Sequence, residues 1–216
     1  MKPLRCSFIT DGSSDRALVP HLRWLLRENG VVRPIRIDWA ELRHLPKVPR
    51  GLAHRIEKSV ELYPCDLLFI HKDAEKDDPL KKSQEVSAAI GQLESALPPI
   101  VCVIPVRMQE AWLLFDEAAI RRAAGNPNGR IVIDLPRLNT LENLPDPKEI
   151  LHGLLRSASE RSGRRLRQFN VGHSAMQVSQ FVDDFAPLRI VPAFQRLEAE
   201  LQATIGTNGW NTVEDN

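Results

Sequence analysis

The sequence predicts an α/β protein, with a parallel sheet covered by helices on both faces over residues 1–125 and a mostly helical extension over residues 126–216. Three observations carry this. Short apolar runs (Leu4–Thr10, Leu67–Ile70, Val101–Val106) have no wet face and read as buried strands. Stretches with apolar residues at helical spacing separate them, and alternating strand and helix is the pattern of a parallel sheet. Each run is also followed by carboxylates: Asp11 and Asp15 after the first, Asp73 and Glu75 after the second, Glu110 after the third. In an open parallel sheet, ligands bind outside the carboxyl ends of the strands.

Taken in order, residues 4–10 form the first strand. Leu18, Leu22, Leu25 and Leu26 mark one face of a helix from Asp15 to Glu28, ended by Asn29-Gly30. Residues 34–39 alternate like a strand with one wet face. A helix over 51–63 closes at Pro64, and Leu67–Ile70 is a short buried strand. Asp77 to Lys82 reads as a charged loop, and a helix from Ser83 to Leu97 stops at Pro98-Pro99. Residues 101–106 form the next strand and Gln109 to Ala124 one helix. Beyond Gly125 the character changes. Asn126-Pro127-Asn128-Gly129 is a turn cluster, and prolines punctuate the stretch to Pro147. Helices follow over 148–157, 178–185 and 188–201, and the tail after Gly206 reads as frayed.

The bulk numbers leave an ordinary globular protein. The chain has 216 residues, 43% hydrophobic and 26% charged, with a net charge of +1. No apolar stretch approaches the roughly 18 residues of a membrane helix, and Met1-Lys2-Pro3-Leu4-Arg5 does not read as a secretory leader. Three widely spaced cysteines, Cys6, Cys65 and Cys102, fit small core residues of a reducing cytoplasm. Six scattered histidines lack zinc-ligand spacing, and neither a phosphate loop nor a nucleophile elbow is present.

The acidic clusters carry the chemistry. Carboxylates brought together raise one another's pKa unless something cationic lies between them, and a hard divalent ion is the simplest such cation. Asp11 and Asp15 lie four residues apart, and Gly12 permits a tight turn between strand and helix. A helix N-terminus there would also favour an anion, whereas Ser13, Ser14 and Asp15 serve equally well as caps. Asp73 and Glu75 point the same way if the backbone stays extended. Glu110 opens a helix, where the dipole alone favours it, and Asp116 reaches the site only if the helix end folds inward. Trp112 and Phe115 read as core. The stretch Arg156, Arg161, Arg164, Arg165, Arg167, against the single acid Glu160, is either a solvated loop or a phosphate-binding patch.

Asp11-Gly12-Ser13-Ser14-Asp15 followed by Asp73-Ala74-Glu75 resembles the paired motifs of TOPRIM domains, found in topoisomerases, primases and OLD-family nucleases. The Asp11-to-Asp15 spacing is similar to that of the OLD-type branch. Glu110-Ala111-Trp112-Leu113-Leu114-Phe115-Asp116 with Asp146-Pro147-Lys148 resembles a family of small prokaryotic TOPRIM-like proteins over most of the chain, some of whose members lie near phage-defence genes. Two positions depart from the TOPRIM pattern: Asp11 stands where a glutamate is usual, and Glu75 where an aspartate is usual.

The resemblance implies a Rossmann-like TOPRIM core and a Mg²⁺- or Mn²⁺-dependent nuclease, with a role in mobile-element or phage defence. Asp11, Asp15, Asp73, Glu75 and Glu110 would be the metal ligands. Asp11, Asp73, Glu75, Glu110 and Lys148 would be the catalytic set, and Arg161, Arg164, Arg165 and Arg167 would hold nucleic acid, DNA or RNA. The alternative is a non-catalytic TOPRIM-like binding module, or an effector subunit that needs a protein partner.

Overall fold

The computed structural model describes residues 2–75 and 78–212. Asp77, read above as loop, and the tail beyond residue 212 lie outside them.

The protein is α/β, built on a four-stranded, all-parallel sheet. Strands β1 (Leu4–Ile9), β2 (Ile35–Trp39), β3 (Leu67–His71) and β4 (Ile100–Val103) lie in the order β2-β1-β3-β4. Phe8 pairs with Trp39 on one side and Phe69 on the other, and Ile70 pairs with Cys102. The side-chain period of two sends alternate residues to opposite faces. Leu4, Cys6, Phe8, Leu67, Phe69, Val101 and Val103 enter one core, and Ile9, Leu68 and Ile70 the other. The larger core is closed by α1 (Val19–Glu28), α4 (Glu117–Ala123), α5 (Pro147–Ala158), α7 (Val171–Gln177) and α8 (Pro192–Asn208). The smaller is closed by α2 (Leu52–Leu62) and α3 (Pro79–Ile90). Phe8 is fully buried at the sheet centre, where truncation to alanine costs about 3–5 kcal/mol.

The strand order fixes where a ligand belongs. From β1 the chain winds out to β2, then returns past β1 to β3 and β4, so the winding reverses between β1 and β3. The crevice above the carboxyl ends of those two strands is the topological switch point.

Several elements differ from the sequence reading. Helix α3 starts at Pro79, capped by the Asp78 carboxylate accepting from the Leu80 N–H, and ends at Ile90 rather than near Leu97. An Asp-Pro start outweighs the local charge that suggested a loop. The expected helix over 109–124 breaks in two. Gln109–Leu113 is a 3₁₀ turn, and Asp116 caps α4 by accepting from the Ala119 N–H, so it serves the helix and not the site. The basic stretch contains a helix, α6 (Gly163–Arg167), and α7 follows it directly. Helix α8 runs past Gly206 to a left-handed Gly209, and Trp210 is buried in the larger core. Trp112 is also core, 1% exposed. The edge of β4 is covered from α8, whose Glu200 carboxylate accepts the Cys102 N–H. Among the described residues no helix is long and apolar enough to cross a membrane.

Candidate functional site

The loops after β1 and β3 meet over the switch point, and their acids share one cation. His71, the last residue of β3, is 2% exposed, with Nδ1 3.4 Å from Asp15 Oδ2 and Nε2 3.2 Å from Asp73 Oδ1. Neither contact meets strict hydrogen-bond geometry, and each is a close charge pair. Burial alone would lower the imidazole pKa, but the two facing carboxylates outweigh it and raise it to about 9. His71 is therefore an imidazolium at neutral pH.

Asp15 is held from several sides. It accepts from the Gly12 N–H at 2.8 Å, the Ser14 hydroxyl at 3.1 Å and the Gln109 side-chain amide at 3.0 Å. Burial opposes its ionisation, yet His71 and these donors keep its pKa below the ordinary carboxylate value. The fold-back is close at position 12: a Cβ there would lie 3.3 Å from Asp15 Oδ1, so the carboxylate would have to shift by a few tenths of an ångström. Residues 14–18 form a 3₁₀ turn with no side-chain cap. Neither the expected capping nor a helix N-terminus for an anion materialises there, because Asp15 itself takes the Gly12 N–H.

Asp73 is fixed by the next loop. The Gln109 backbone N–H donates to Asp73 Oδ1 at 3.1 Å, so Gln109 contacts both aspartates. Beyond β3 the pairing with the segment after β4 continues. Lys72 N–H donates to Val103, Ala74 N–H to Pro105 and Glu75 N–H to Arg107. Both residues of that last bond are left-handed, Glu75 at φ 53° and Arg107 at φ 67°. Such backbone costs roughly 1–2 kcal/mol per non-glycine residue and concentrates at functional sites.

The five predicted metal ligands do not all converge. Asp15 and Asp73 meet at His71. Glu110, 8% exposed, lies beside them; burial first, then the charges of Asp73 and Asp15, raise its carboxyl pKa, opposed by its own N–H and Lys148. Asp11 sits at the exposed rim, where Lys72 Nζ donates to it at 2.8 Å and Arg55 of α2 also pairs with it. Burial works against its ionised form, but these two cations hold its pKa low. Glu75 departs from the expectation. Its left-handed turn replaces the extended backbone that would aim it beside Asp73, and it is exposed, with no hydrogen bond or ion pair to the cluster among the described residues. Lys148 of α5 does reach the site, lining a cavity of about 160 Å³ with Ser13, Ser14, Gln109, Glu110 and His152. The arginines of α6 do not line that cavity; Arg161 stacks on Phe169 at 4.8 Å, and Arg164, Arg165 and Arg167 are exposed.

Four contributors escape sequence reading. His71 carries a weak signal, as an ionisable residue ending a buried strand, and Lys72 follows it. Arg55 and Gln109 carry none, since each is placed by tertiary packing. Gln109 is 3% exposed, and its Oε1 has no hydrogen-bond partner while its amide nitrogen serves Asp15. That leaves an orphaned hard oxygen among three carboxylates.

No protein family, no curated protein and no solved structure matches this chain.

Proposed function

We propose that the crevice is the phosphoryl-transfer centre of a TOPRIM-like, divalent-metal-dependent nuclease. The observation that carries this reading is the meeting of Asp15, Asp73 and Glu110 around Gln109 at the switch point of a parallel sheet.

The donors fit a hard ion in kind: three carboxylates and the unpartnered Gln109 Oε1 are the oxygen ligands that Mg²⁺ or Mn²⁺ takes. Among the described residues no three His, Cys, Asp or Glu side chains close on one metal-sized point, and His71 stands between Asp15 and Asp73. Asp15, Asp73 and Glu110 would hold the metal, with Asp11 at the rim. When bound it supplies Lewis-acid polarisation of a phosphate oxygen and an activated water. The chain's own residues do the rest. Lys72 and Arg55 place positive charge at the mouth, where a phosphodiester can exchange for Asp11. Lys148 offers a third cation beside Glu110. Gln109 fixes the orientation of both aspartates. Nucleic acid, DNA or RNA, is the substrate class; a setting in mobile-element or phage defence rests on the resemblance alone.

One observation favours a second reading. His71, Lys72 and Arg55 already balance Asp11, Asp15 and Asp73, so the chain needs no added cation to be stable. A non-catalytic module that binds phosphates, or a subunit activated by a partner, has that property. The test is cleavage of single- and double-stranded DNA and RNA with Mn²⁺, Mg²⁺ or EDTA, beside Asp73→Asn. The nuclease predicts metal-dependent cutting that falls by about a thousandfold or more in the variant. A folded protein that binds Mn²⁺ and cuts nothing establishes the second reading. Full activity in Asp73→Asn removes the crevice as the centre.

A further inference from the structure

A second cavity lies outside the acidic crevice. It is a groove of about 810 Å³ between α1, the edge strand β2 and the helical segment from His173 onward. Three exposed arginines, Arg16, Arg23 and Arg27, line it. Arg23 and Arg27 lie four residues apart on one face of α1, and Arg16 lies on the 3₁₀ turn that leads into it. Among the described residues none of the three has a carboxylate within ion-pair distance. The lining carboxylate, Asp183, faces Arg122 at 3.9 Å. Trp39, at the carboxyl end of β2, has the Arg16 guanidinium 5.1 Å and the Arg43 guanidinium 5.5 Å from its ring centre.

We propose that this groove binds single-stranded nucleic acid and delivers it to the crevice. Guanidiniums without carboxylate partners, Arg27 held in place by the Val31 and Arg33 carbonyls, match a phosphate chain, and a tryptophan with guanidinium groups over its ring offers a π surface on which unpaired bases stack. An acidic peptide would use the charges but leave the Trp39 ring without a role. The groove lies beside the crevice, and Met176 lines both cavities. Arg16 follows Asp15 in the chain, and Trp39 Nε1 donates to Thr10 Oγ1 at 2.9 Å, one residue from Asp11. The proposal rests on the nuclease reading for the destination of the strand, not for its binding.

The experiment measures binding of a fluorescent oligo-dT in EDTA, where no cutting occurs, by anisotropy across a salt series. The protein is compared with Arg16→Glu/Arg23→Glu and with Arg164→Glu/Arg165→Glu on α6. Arg23→Gln serves as a milder variant should the double reversal unfold, and matched unfolding temperatures show that each variant is intact. The groove predicts binding weakened about tenfold or more in the first pair, with the slope of log K against log salt shallower by about 1.4, and little change in the α6 pair. Binding equal to that of the parent, or absent in the parent, overturns the groove. So does tighter binding of duplex, or displacement of the oligonucleotide by polyglutamate at equal charge. Binding that behaves as predicted beside absent cleavage overturns the nuclease reading alone, so the two failures are told apart.

Discussion

Asp15 and Arg16 are adjacent in the chain, yet Asp15 is buried in the crevice while Arg16 stands exposed on the groove wall. The two regions treat charge in opposite ways. In the crevice each aspartate has a cation of the chain against it: His71 serves Asp15 and Asp73, and Lys72 and Arg55 serve Asp11. In the groove the arginines lack carboxylate partners among the described residues. Internal compensation fixes geometry, because a buried charge without a partner is strongly destabilising. Uncompensated surface charge does little for stability and leaves its attraction available to a ligand. The crevice is built to hold atoms in place, the groove to attract a polyanion.

The most forceful way to break this comparison is to remove the shared cation. His71→Ala leaves Asp15 and Asp73 facing each other, with an expected loss of about 3–5 kcal/mol. The pH dependence has a definite sign. The folded pKa of about 9 lies above the ordinary histidine value of 6.5, so the native state binds the extra proton. The stabilisation from His71 is fully present below about pH 6.5 and is lost as pH rises through about 9, on the order of 3 kcal/mol. Urea unfolding in EDTA at pH 6, 7.5 and 9.5 should show this decline in the parent and a flatter profile in the variant. A parent profile level across that range would mean that His71 is neutral and the crevice uncompensated. Charge reversal of Arg16 or Arg23 should move none of these values by more than about 0.5 kcal/mol.

Gln109 sharpens the contrast from inside the crevice. Gln109→Leu keeps the backbone N–H to Asp73 but removes the donor to Asp15 and the orphaned Oε1. Removing an unsatisfied buried oxygen raises stability, while loss of a positioning hydrogen bond lowers it, so the net change should stay small. Function should respond more, with Mn²⁺ affinity by calorimetry and cleavage rate falling about 10- to 100-fold. A variant equal to the parent in both would return Gln109 to the role of an ordinary core residue.

The sequence makes part of this legible. Parallel strands announce themselves because both faces are buried, so Leu67–Ile70 reads as a continuous apolar run. Carboxylates after β1 and β3 stand out because nothing in core packing calls for them. The contributors that complete the site have no such mark. Arg55 lies on α2, 44 residues from Asp11, and their meeting depends on where the helix lands on the sheet. Glu75 misleads because a left-handed turn, invisible in an Asp-Ala-Glu sequence, turns it away from Asp73. Helix boundaries fail where one capping residue decides, as Asp78 and Asp116 do. The groove escapes because its arginines are diluted by helical spacing, whereas the five arginines between 156 and 167 cluster in sequence.

The smallest expected effect tests whether the two regions are joined. The Thr10 hydroxyl donates to the Gly12 carbonyl at 2.7 Å and accepts from Trp39 Nε1 at 2.9 Å, so one side chain ties the acidic loop to the groove's aromatic wall. Trp39→Phe removes that bond and keeps a ring beneath Arg16 and Arg43. One neutral hydrogen bond is worth about 1 kcal/mol, a modest drop in unfolding temperature. If the tie only stabilises, oligonucleotide affinity in EDTA and cleavage at saturating substrate both stay at parental values. If it positions the Gly12 loop, cleavage falls while affinity holds, because Gly12 orients Asp15 and the phenylalanine ring still serves the arginines. Trp39→Ala then removes the platform as well, and only that variant should weaken the oligonucleotide, by the roughly 1–3 kcal/mol that one stacked base contributes. Equal affinities for the phenylalanine and alanine variants would show that the groove holds phosphates without stacking bases, and that its likeness to a single-strand site ends with charge.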